Sequence, residues 1–318
     1  MRIFQTLEEI RDIEPTIVAV GNFDGVHRGH QEILKRTVSC GAIAGLRSAV
    51  FTFSNHPRNM MDPGGPVKNI LYQEDKMRIF EELGIDDVFS IPFDQRIREM
   101  TPRDYVERLL INKLHMEEVF CGFNYHFGRG AAGDVQLLLQ MSLERGFSLH
   151  VLAPYRLDDH IVSSTLIREL IGAGEVDRCA RYLGRCYSIG GEVVVGNRLG
   201  RKLGFPTSNL AIDETMITPP NGVYVTYCIY NGRRYPSITN VGVKPTIGEY
   251  RKNVETHIFN FDRELYGKMI RVEFLRKMRS EQKFDSVEAL SRQITEDCIH
   301  ARSYHREHPD GLADLLGS

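Results

Sequence analysis

The stretch TIVAVGNFDGVHRGH, residues 16–30, decides the fold of the first half of the chain. Thr16–Val20 is apolar and β-branched and predicts a buried strand, and the apolar spacing over His30–Ala44 predicts a helix soon after it. The same alternation predicts strands at Ala49–Phe53 and Val119–Phe123, and helices at Glu74–Leu83 and Pro102–Lys113. We therefore predict an N-terminal doubly wound, Rossmann-like α/β domain, whose ligands bind beyond the carboxyl ends of its strands.

The second half of the chain changes character. Thr165–Leu183 has helical apolar spacing interrupted by Gly172 and Gly174, which predicts two short helices that bridge two domains. After Tyr187, period-two alternation predicts a small antiparallel β-barrel, with strands at Ser188–Val195, Val223–Tyr230 and Ile270–Phe274.

A terminal helix and three boundaries complete the predicted architecture. An amphipathic helix over Ser286–Arg302 is expected to lie on the barrel through Val287, Leu290, Ile294 and Ile299. The predicted domains are 1–184, with a helical linker at about 165–184, then 185–305, followed by a tail at 306–318.

The composition limits the class of protein. A length of 318 residues suits two domains, and 42% hydrophobic with 26% charged residues indicates a soluble globular chain. A formal net charge of -2 lacks the basic excess of a nucleic-acid binder. The acidic start, Met1–Ile17, and the absence of any run near about 18 apolar residues predict neither a signal peptide nor a membrane span. We expect a cytoplasmic protein with no nucleic-acid, membrane or obligate protein partner.

The six cysteines lie far apart and form no CxxC pair. Such spacing argues against a zinc site or a redox motif. We expect most of them to be buried as small apolar residues.

The turn Gly21–His30 holds the first candidate site. Backbone N–H groups at a helix start favour an anion, and His27 and His30, three residues apart, can donate to phosphate oxygens. Gly25 and Gly29 let the backbone approach closely. Developing charge on an α-phosphate, as in nucleotidyl transfer, suits such donors. The alternative is structural, because histidines and glycines at this position also serve as caps and spacers.

A second polar group lies at the start of the linker. Ser163, Ser164 and Thr165 are followed at helical spacing by Arg168. These hydroxyl groups can cap a helix, or together with the guanidinium they can hold a polyphosphate.

Together, GNFDGVHRGH at 21–30 and SSTLIR at 163–168 resemble the bacterial FAD synthetase branch of the nucleotidyltransferase superfamily. The resemblance implies that His27, His30 and Arg168 carry adenylyl transfer. It also implies a nucleotide and flavin pocket made by Gly21, Phe23, Asp24, Gly25, Asn124, Ser163, Ser164 and Thr165.

Two further segments bear on that resemblance. Gly122–Gly130 resembles the glycine-rich segment of the family, in which Asn124 would bind a ligand, although such a stretch is also typical of a plain loop. Phe51–Pro57 resembles the motif Thr-Phe-x-x-His-Pro, but Ser54 and Asn55 stand where an acidic residue or proline is common. Phe53 could equally belong to the core.

The second candidate site is the segment GNRLGRKLGFPTSN, residues 196–209. Glycines let backbone amides approach phosphates, and Lys202 can neutralise them. Thr207 and Asn209 offer the hard oxygen ligands that Mg²⁺ accepts when it bridges ATP phosphates. A basic glycine-rich segment of this kind can also be a solvated turn.

This segment resembles the riboflavin kinase signature, as do VETHIFNFD at 254–262 and LYG at 265–267. Further matching segments are NGVY at 221–224, TNVG at 239–242 and RSEQKF at 279–284. The resemblance implies that Glu255 accepts the 5′-hydroxyl proton of riboflavin, and that Thr207 and Asn209 hold Mg²⁺. It also implies nucleotide or flavin contacts at Gly196, Lys202, Gly204, Pro206, Asn240 and Arg279. Without the resemblance, Glu255 could be a surface strand residue beside Arg251 and Lys252.

Both resemblances imply one bifunctional enzyme that makes FMN from riboflavin and FAD from FMN, with ATP as co-substrate and Mg²⁺ at both sites. Two rivals remain open at this point: an enzyme in which one module has lost catalysis, and a non-catalytic flavin-binding or flavin-sensing protein. A binding protein would have no need of Glu255 or of paired His27 and His30.

Overall fold

The computed structural model describes residues 1–61, 66–196, 200, 203–246, 249–309 and 311. Backbone contacts divide the chain into two compact units, Met1–Ser163 and Ser164–Ser318. The segment 165–184 therefore packs with the second unit, whereas the predicted boundary after residue 184 groups it with the first. Which functional domain the segment serves stays a prediction.

The first unit is built on a parallel sheet with strand order β1-β4-β3-β2-β5-β6. These strands are β1 Arg2–Phe4, β2 Thr16–Val20, β3 Arg47–Phe53, β4 Asp87–Ile91, β5 Met116–Gly122 and β6 Ser148–Leu152, and a small hairpin adds β7 Arg156–Leu157 and β8 His160–Ile161. The helices are α1 Arg28–Ala44, α2 Arg58–Met61, α3 Gln73–Glu82, α4 Gln95–Glu99, α5 Pro102–Asp104 and α6 Val135–Arg145, with 3₁₀ turns at Leu7–Glu9 and Arg129–Ala131.

Both faces of this sheet are covered, as a doubly wound fold requires. On β2, Val18 and Val20 belong to one apolar core, and Ile17 and Ala19 belong to a second core on the opposite face. The continuous apolar run of β2 is buried at all its positions because both faces are covered. The predicted fold class of the first half is confirmed.

The predicted helix at Pro102–Lys113 has a different hydrogen-bond pattern from an α-helix. Only its first turn, Pro102–Asp104, is α-helical, and Tyr105–Ile111 forms a π-helix. The apolar spacing of this segment still predicts the buried side of the helix correctly. The residues buried there are Tyr105, Val106, Leu109 and Leu110.

The second unit begins with two helices, α7 Ser164–Ala173 and α8 Val176–Leu183. Gly174 turns the chain between them with φ of +81°. The predicted pair of short helices is confirmed. α8 buries Val176, Cys179, Ala180, Tyr182 and Leu183, and it packs on the barrel that follows.

That barrel is closed and antiparallel, with strand order β10-β13-β12-β11-β14-β9. Its strands are β9 Tyr187–Val194, β10 Ser208–Leu210, β11 Gly222–Tyr230, β12 Arg233–Thr246, β13 Glu249–Ile258 and β14 Met269–Ser280. Asn231 and Gly232, with φ of +49° and +72°, make the two-residue turn from β11 to β12. The predicted barrel is confirmed.

The terminal helix, α9 Val287–Glu307, is present, but its predicted buried face is only partly right. Ile294 packs on the barrel, whereas Val287 and Ile299 are 55% and 57% exposed. The face that α9 buries consists of Asp297, Cys298, Ala301 and His305. The apolar pattern did not predict this face, because the face consists of small and polar residues.

All six cysteines are free thiols, and Cys121, Cys179, Cys186, Cys228 and Cys298 are buried. Burial raises the pKa of four of these thiols to about 12, namely Cys121, Cys179, Cys186 and Cys228. At neutral pH these groups remain protonated, which suits the predicted packing role. Among the residues that the structure describes, no helix is long and apolar enough to cross a membrane.

Candidate active sites

The first candidate site occupies the loop between β2 and α1, at the carboxyl edge of the parallel sheet. Phe23 and Val26 adopt positive φ angles of +49° and +37°, which are uncommon for residues other than glycine. The Phe23 ring is buried against Phe80 and contacts His30 edge-on, with centroids 5.2 Å apart. Backbone strain of this kind persists where surrounding packing enforces it, and it is common at ligand sites.

His27 and His30 stack on each other at the start of α1. Their ring centroids lie 3.6 Å apart, with 17° between the planes. His27 also caps the helix, because its Nδ1 accepts the backbone N–H of His30 at 3.3 Å. The capping role left open by the sequence is therefore real. It is compatible with anion binding, since a neutral imidazole that accepts at Nδ1 carries its proton at Nε2 and can donate there.

Asp24 and two glycines shape the same loop. The buried Asp24 carboxylate accepts the backbone N–H of Ile70 at 3.0 and 3.3 Å. At Gly25, φ is +78° and an added Cβ would lie 3.0 Å from Ile70; at Gly21, an added Cβ would lie 3.2 Å from the Phe23 ring. The contacts of Asp24 anchor the loop, and its predicted ligand role stays a prediction.

Asn124 follows β5, the strand beside β2, and so lies at the same edge of the sheet. In the strand order, β2 and β5 flank the point where connections change direction, which is where such sheets bind ligands. Asn124 is exposed. Its loop is held in place by a hydrogen bond of 2.8 Å between the hydroxyl groups of Tyr105 and Tyr125.

The departure from the family pattern after β3 has a structural role. The Asn55 side chain accepts the backbone N–H of Phe93 at 2.6 Å and donates to its carbonyl oxygen at 3.2 Å. These two bonds fasten the loop after β3 to the chain after β4. Phe53 is partly buried and packs on the core, as the alternative interpretation held.

The serine-rich motif spans the division between the units. Ser163 ends the first unit, while Ser164, Thr165 and Arg168 lie on α7 in the second. Ser164 and Arg168 are one helical turn apart and share a face of α7. Their predicted action together with His27 and His30 stays a prediction.

Four predicted kinase residues of the second unit lie, together with Val223, in one row across the barrel. In the strand register Asn209 pairs with Glu255, Glu255 with Asn240, Asn240 with Val223, and Val223 with Arg279. Residues directly opposite in antiparallel strands point to the same face, and their Cβ atoms lie about 4.5–5.5 Å apart. The barrel thus brings together four predicted site residues that the sequence separates.

Glu255 is half-buried on β13. Its Oε1 accepts an N–H of Asn253 at 2.7 Å, while Lys252 donates to Asn221 at 2.7 Å. The Arg251 side chain lies outside the described residues, so the choice between a catalytic base and a strand glutamate beside Arg251 and Lys252 stays open.

Arg279 is held by the terminal helix. Its guanidinium forms a bidentate ion pair with the buried Asp297 of α9, at 2.7 and 3.1 Å. This pair keeps Arg279 at one end of the row, and its predicted ligand contact stays a prediction. The sequence did not single out Asp297, because an acidic residue on an amphipathic helix is ordinarily exposed.

Close backbone approaches shape the segment before β10. An added Cβ at Gly196 would lie 2.4 Å from the Asn209 amide, so any other residue there would have to displace that buried side chain. Pro206 precedes Thr207 directly, and its carbonyl oxygen bonds His257 Nδ1 at 2.8 Å. Gly204 has φ of +86°. Lys202 lies outside the described residues.

A small cavity adjoins the Thr207 end of this segment. Residues of the predicted signatures line it, among them Pro206, Thr207, Thr256, Leu265 and Tyr266. Segments far apart in the sequence therefore meet at one concavity.

Lys76 on α3 is a further residue that the sequence analysis missed. Its side chain is buried behind the first site, and desolvation lowers its pKa to about 8, although Asp24 opposes the shift. Apolar spacing places position 76 on a helix but does not reveal a buried charge.

Comparisons with known proteins match both halves of the chain. Residues 9–166 match the family model described as FAD synthetase, and residues 183–305 match the model described as riboflavin kinase. A solved structure from Streptococcus pneumoniae, named as a macrolide-efflux protein, is 27% identical with a TM-score of 0.86, covering 94% of this chain and 98% of that one.

Sequence relatives span the full pair of domains. The bifunctional riboflavin kinase/FMN adenylyltransferase of Pseudomonas fluorescens is 34% identical over 95% of this chain and 97% of its own length. The protein of the same name from Bacillus subtilis is 31% identical over 91% of this chain and 92% of its own length. With similarity at this level over both domains, the chain belongs to the family of bifunctional riboflavin kinase/FMN adenylyltransferases.

Proposed function

We propose that this chain makes FAD from riboflavin in two ATP-dependent steps, phosphorylation in the barrel and adenylylation in the N-terminal module. The observation that carries the kinase assignment is the register row, in which the Glu255 carboxylate pairs with Asn209, the residue that we propose as an oxygen ligand. Family membership supports both activities. Because ATP and flavins are cytoplasmic metabolites in bacteria, we place both reactions in the cytoplasm.

In the first step, Glu255 accepts the proton of the riboflavin 5′-hydroxyl group. The hydroxyl oxygen attacks the γ-phosphorus of ATP, the bond to the β–γ bridging oxygen breaks, and ADP leaves. A carboxylate needs only hydrogen-bond reach of the attacking hydroxyl to act as the base. The Asn253 contact at 2.7 Å orients the Glu255 carboxylate for this role.

Mg²⁺ fits the donor set at this site. Thr207 supplies a hydroxyl oxygen and the buried Asn209 an amide oxygen, which are hard ligands suited to Mg²⁺. Within the described ranges, no group of three His, Cys, Asp or Glu residues could hold a metal ion. On the chemistry of these two oxygen donors, we propose that Thr207 and Asn209 hold Mg²⁺ together with the ATP phosphates. The ion would neutralise phosphate charge during transfer.

In the second step, a phosphate oxygen of FMN attacks the α-phosphorus of ATP, the bond to the α–β bridging oxygen breaks, and pyrophosphate leaves. His27 and His30 at the start of α1 donate to the phosphate oxygens on which charge accumulates. Arg168, with Ser163, Ser164 and Thr165, contributes further donors. Neither step needs a covalent enzyme intermediate.

A product analysis separates this proposal from its rivals. The protein is incubated with riboflavin, ATP and Mg²⁺, and the flavins are resolved by chromatography. We expect FAD, with FMN as a transient. FMN alone would indicate an inactive adenylyltransferase, and unchanged riboflavin would indicate a binding protein. Loss of both products in EDTA, restored by excess Mg²⁺, would support the metal assignment.

Two fragments test the domain boundary. Both contain the complete barrel and α9, but one begins at Ser164 and the other at Arg185. We expect both to make FMN and neither to make FAD. The Ser164 fragment should have the higher Tm because it retains α8, in which Tyr182 and Leu183 are at most 1% exposed. Burying one large apolar side chain is worth about 1.5–3 kcal/mol. A folded but inert Arg185 fragment would show that residues 164–184 serve the kinase site.

A further inference from the structure

At the first site, the buried Lys76 ammonium links the chain just after β2 to the end of β3. Lys76 Nζ lies 3.2 Å from the carbonyl oxygen of Phe53, 3.4 Å from Thr52 Oγ1 and 3.5 Å from the carbonyl oxygen of Asn22. Thr52 Oγ1 in turn donates to the Asn22 carbonyl oxygen at 3.0 Å. A protonated lysine has three N–H donors, and these three acceptors match them in number.

The three acceptors lie on the two segments that shape the candidate site. Asn22 is inside the loop between β2 and α1, next to Phe23, and Thr52 and Phe53 end β3. Lys76 sits on the first turns of α3, so it ties this helix to both strand ends at once.

Few charged groups among the described residues lie near Lys76. Its side chain is 5% exposed, so the ammonium is almost fully desolvated. On the loop side, Asp24 is the charge that acts on it. On the strand side it meets two neutral groups, the Thr52 hydroxyl group and the Phe53 carbonyl oxygen. On α3, the neighbouring Asp75 carboxylate pairs with the Arg78 guanidinium at 3.4 Å. The other titratable groups of the loop are His27, Arg28 and His30.

A buried ammonium is costly and would be replaced by an apolar residue if filling space were its only task. We propose that Lys76 is a positioning residue for FMN adenylylation: its charge fixes the Phe23–His30 loop against the end of β3, so that His27 and His30 face the α-phosphate. This inference rests on the proposed function of the first unit. Lys76 acts through the loop and is not proposed to touch the nucleotide.

The chain offers a matched control for the charge. Gln73, one turn earlier on α3, also fastens the end of β3, with its amide Nε2 donating to the carbonyl oxygens of Phe53 and Ser54 at 3.2 and 2.5 Å. Among the described residues, its amide donates no hydrogen bond to the loop, and it carries no charge. Gln73→Ala therefore removes a link to β3 while leaving the contact of Lys76 with Asn22.

The first test compares FAD formation from FMN in wild type, Lys76→Met and Gln73→Ala. We expect Lys76→Met to lower kcat by roughly 10²-fold, the usual effect of misplacing catalytic groups by about 1 Å, with a small change in KM for ATP. Gln73→Ala should lose less than tenfold. FMN formation from riboflavin, which the second unit carries, should be unchanged in both. An equal loss in the two variants, or an unchanged Lys76→Met, would overturn the inference.

The second test needs no substitution, so it also covers the case in which Lys76→Met does not fold. Since the pKa of Lys76 is lowered to about 8, wild-type kcat for FAD formation should fall as pH rises through about 8. Deprotonation of Lys76 would not cause that fall by unfolding the protein. The folded-state pKa lies below the ordinary 10.5, so the folded state binds fewer protons over this window, and the contribution of Lys76 to stability increases with pH.

Lys76→Arg, which keeps the charge at all accessible pH values, should remove this alkaline decline even if its kcat at pH 7 is lower. A flat wild-type profile between pH 7 and 10, or a decline that Lys76→Arg leaves in place, would overturn the inference. Absence of FAD formation at every pH in wild type would instead refute the proposed function. The two failures are therefore distinguishable.

Discussion

His30→Ala is expected to reduce FAD formation from FMN by at least roughly 10²–10³-fold, the effect of removing a donor that stabilises developing transition-state charge. Its imidazole stacks 3.6 Å from that of His27 at the first turn of α1. The substitution removes one donor and also the support of the other ring. Riboflavin phosphorylation should remain nearly intact, because every predicted kinase residue lies in the other compact unit.

A histidine on the opposite edge of the same sheet provides the control. His115 is exposed, directly precedes β5, and so lies at the amino end of that strand. It has φ of +46°, which asparagine tolerates well, so His115→Asn should fold and keep both activities. Equal loss of both activities in a folded His30→Ala protein would argue against two independent sites.

The strand, turn and helix at 16–44 could be predicted because each obeys a local rule. Thr16–Val20 is a continuous apolar run that only a strand covered on both faces accommodates. The helix after it repeats apolar residues at a spacing of three to four and ends at Gly45, whose φ of +69° is typical of a helix C-cap. These signals lie within one window of sequence.

The kinase row could not be derived in this way, because it depends on barrel closure. Asn209, Asn240 and Glu255 lie on three strands. No local sequence signal determines which residue of one strand pairs with which residue of the next. Motif resemblance identified these residues, but their register came only from the structure.

Buried polar partners escaped the sequence analysis for a similar reason. Asp297 and Lys76 each sit on a helix where an apolar residue would fit the pattern equally well. Their partners, Arg279 and the strand ends at Asn22 and Phe53, are distant in sequence. Of the structural alternatives, the capping role of His27 is confirmed, and the alternative for Glu255 stays open.

Glu255→Gln is expected to slow riboflavin phosphorylation by roughly 10²–10⁴-fold, the usual contribution of a positioned acid or base. Glutamine keeps the size of the side chain and can still bond Asn253, which now donates to Glu255 at 2.7 Å, but it cannot accept the 5′-hydroxyl proton. Affinities for riboflavin and ATP should change little, so the loss should appear in kcat. FAD synthesis from supplied FMN should survive, since His27 and His30 are untouched.

The matched control for this substitution is Glu192→Gln, an exposed strand glutamate on β9 outside the row, which should leave both rates unchanged. A loss below about tenfold in Glu255→Gln would reject Glu255 as the base, because a positioned base contributes more than that. Glu255 would then be a strand residue that orders Asn253 and Asn209 beside the phosphate site. Deprotonation of the 5′-hydroxyl group would fall to water or to the γ-phosphate itself, and Asn209→Ala would then be expected to cost more activity than Glu255→Gln.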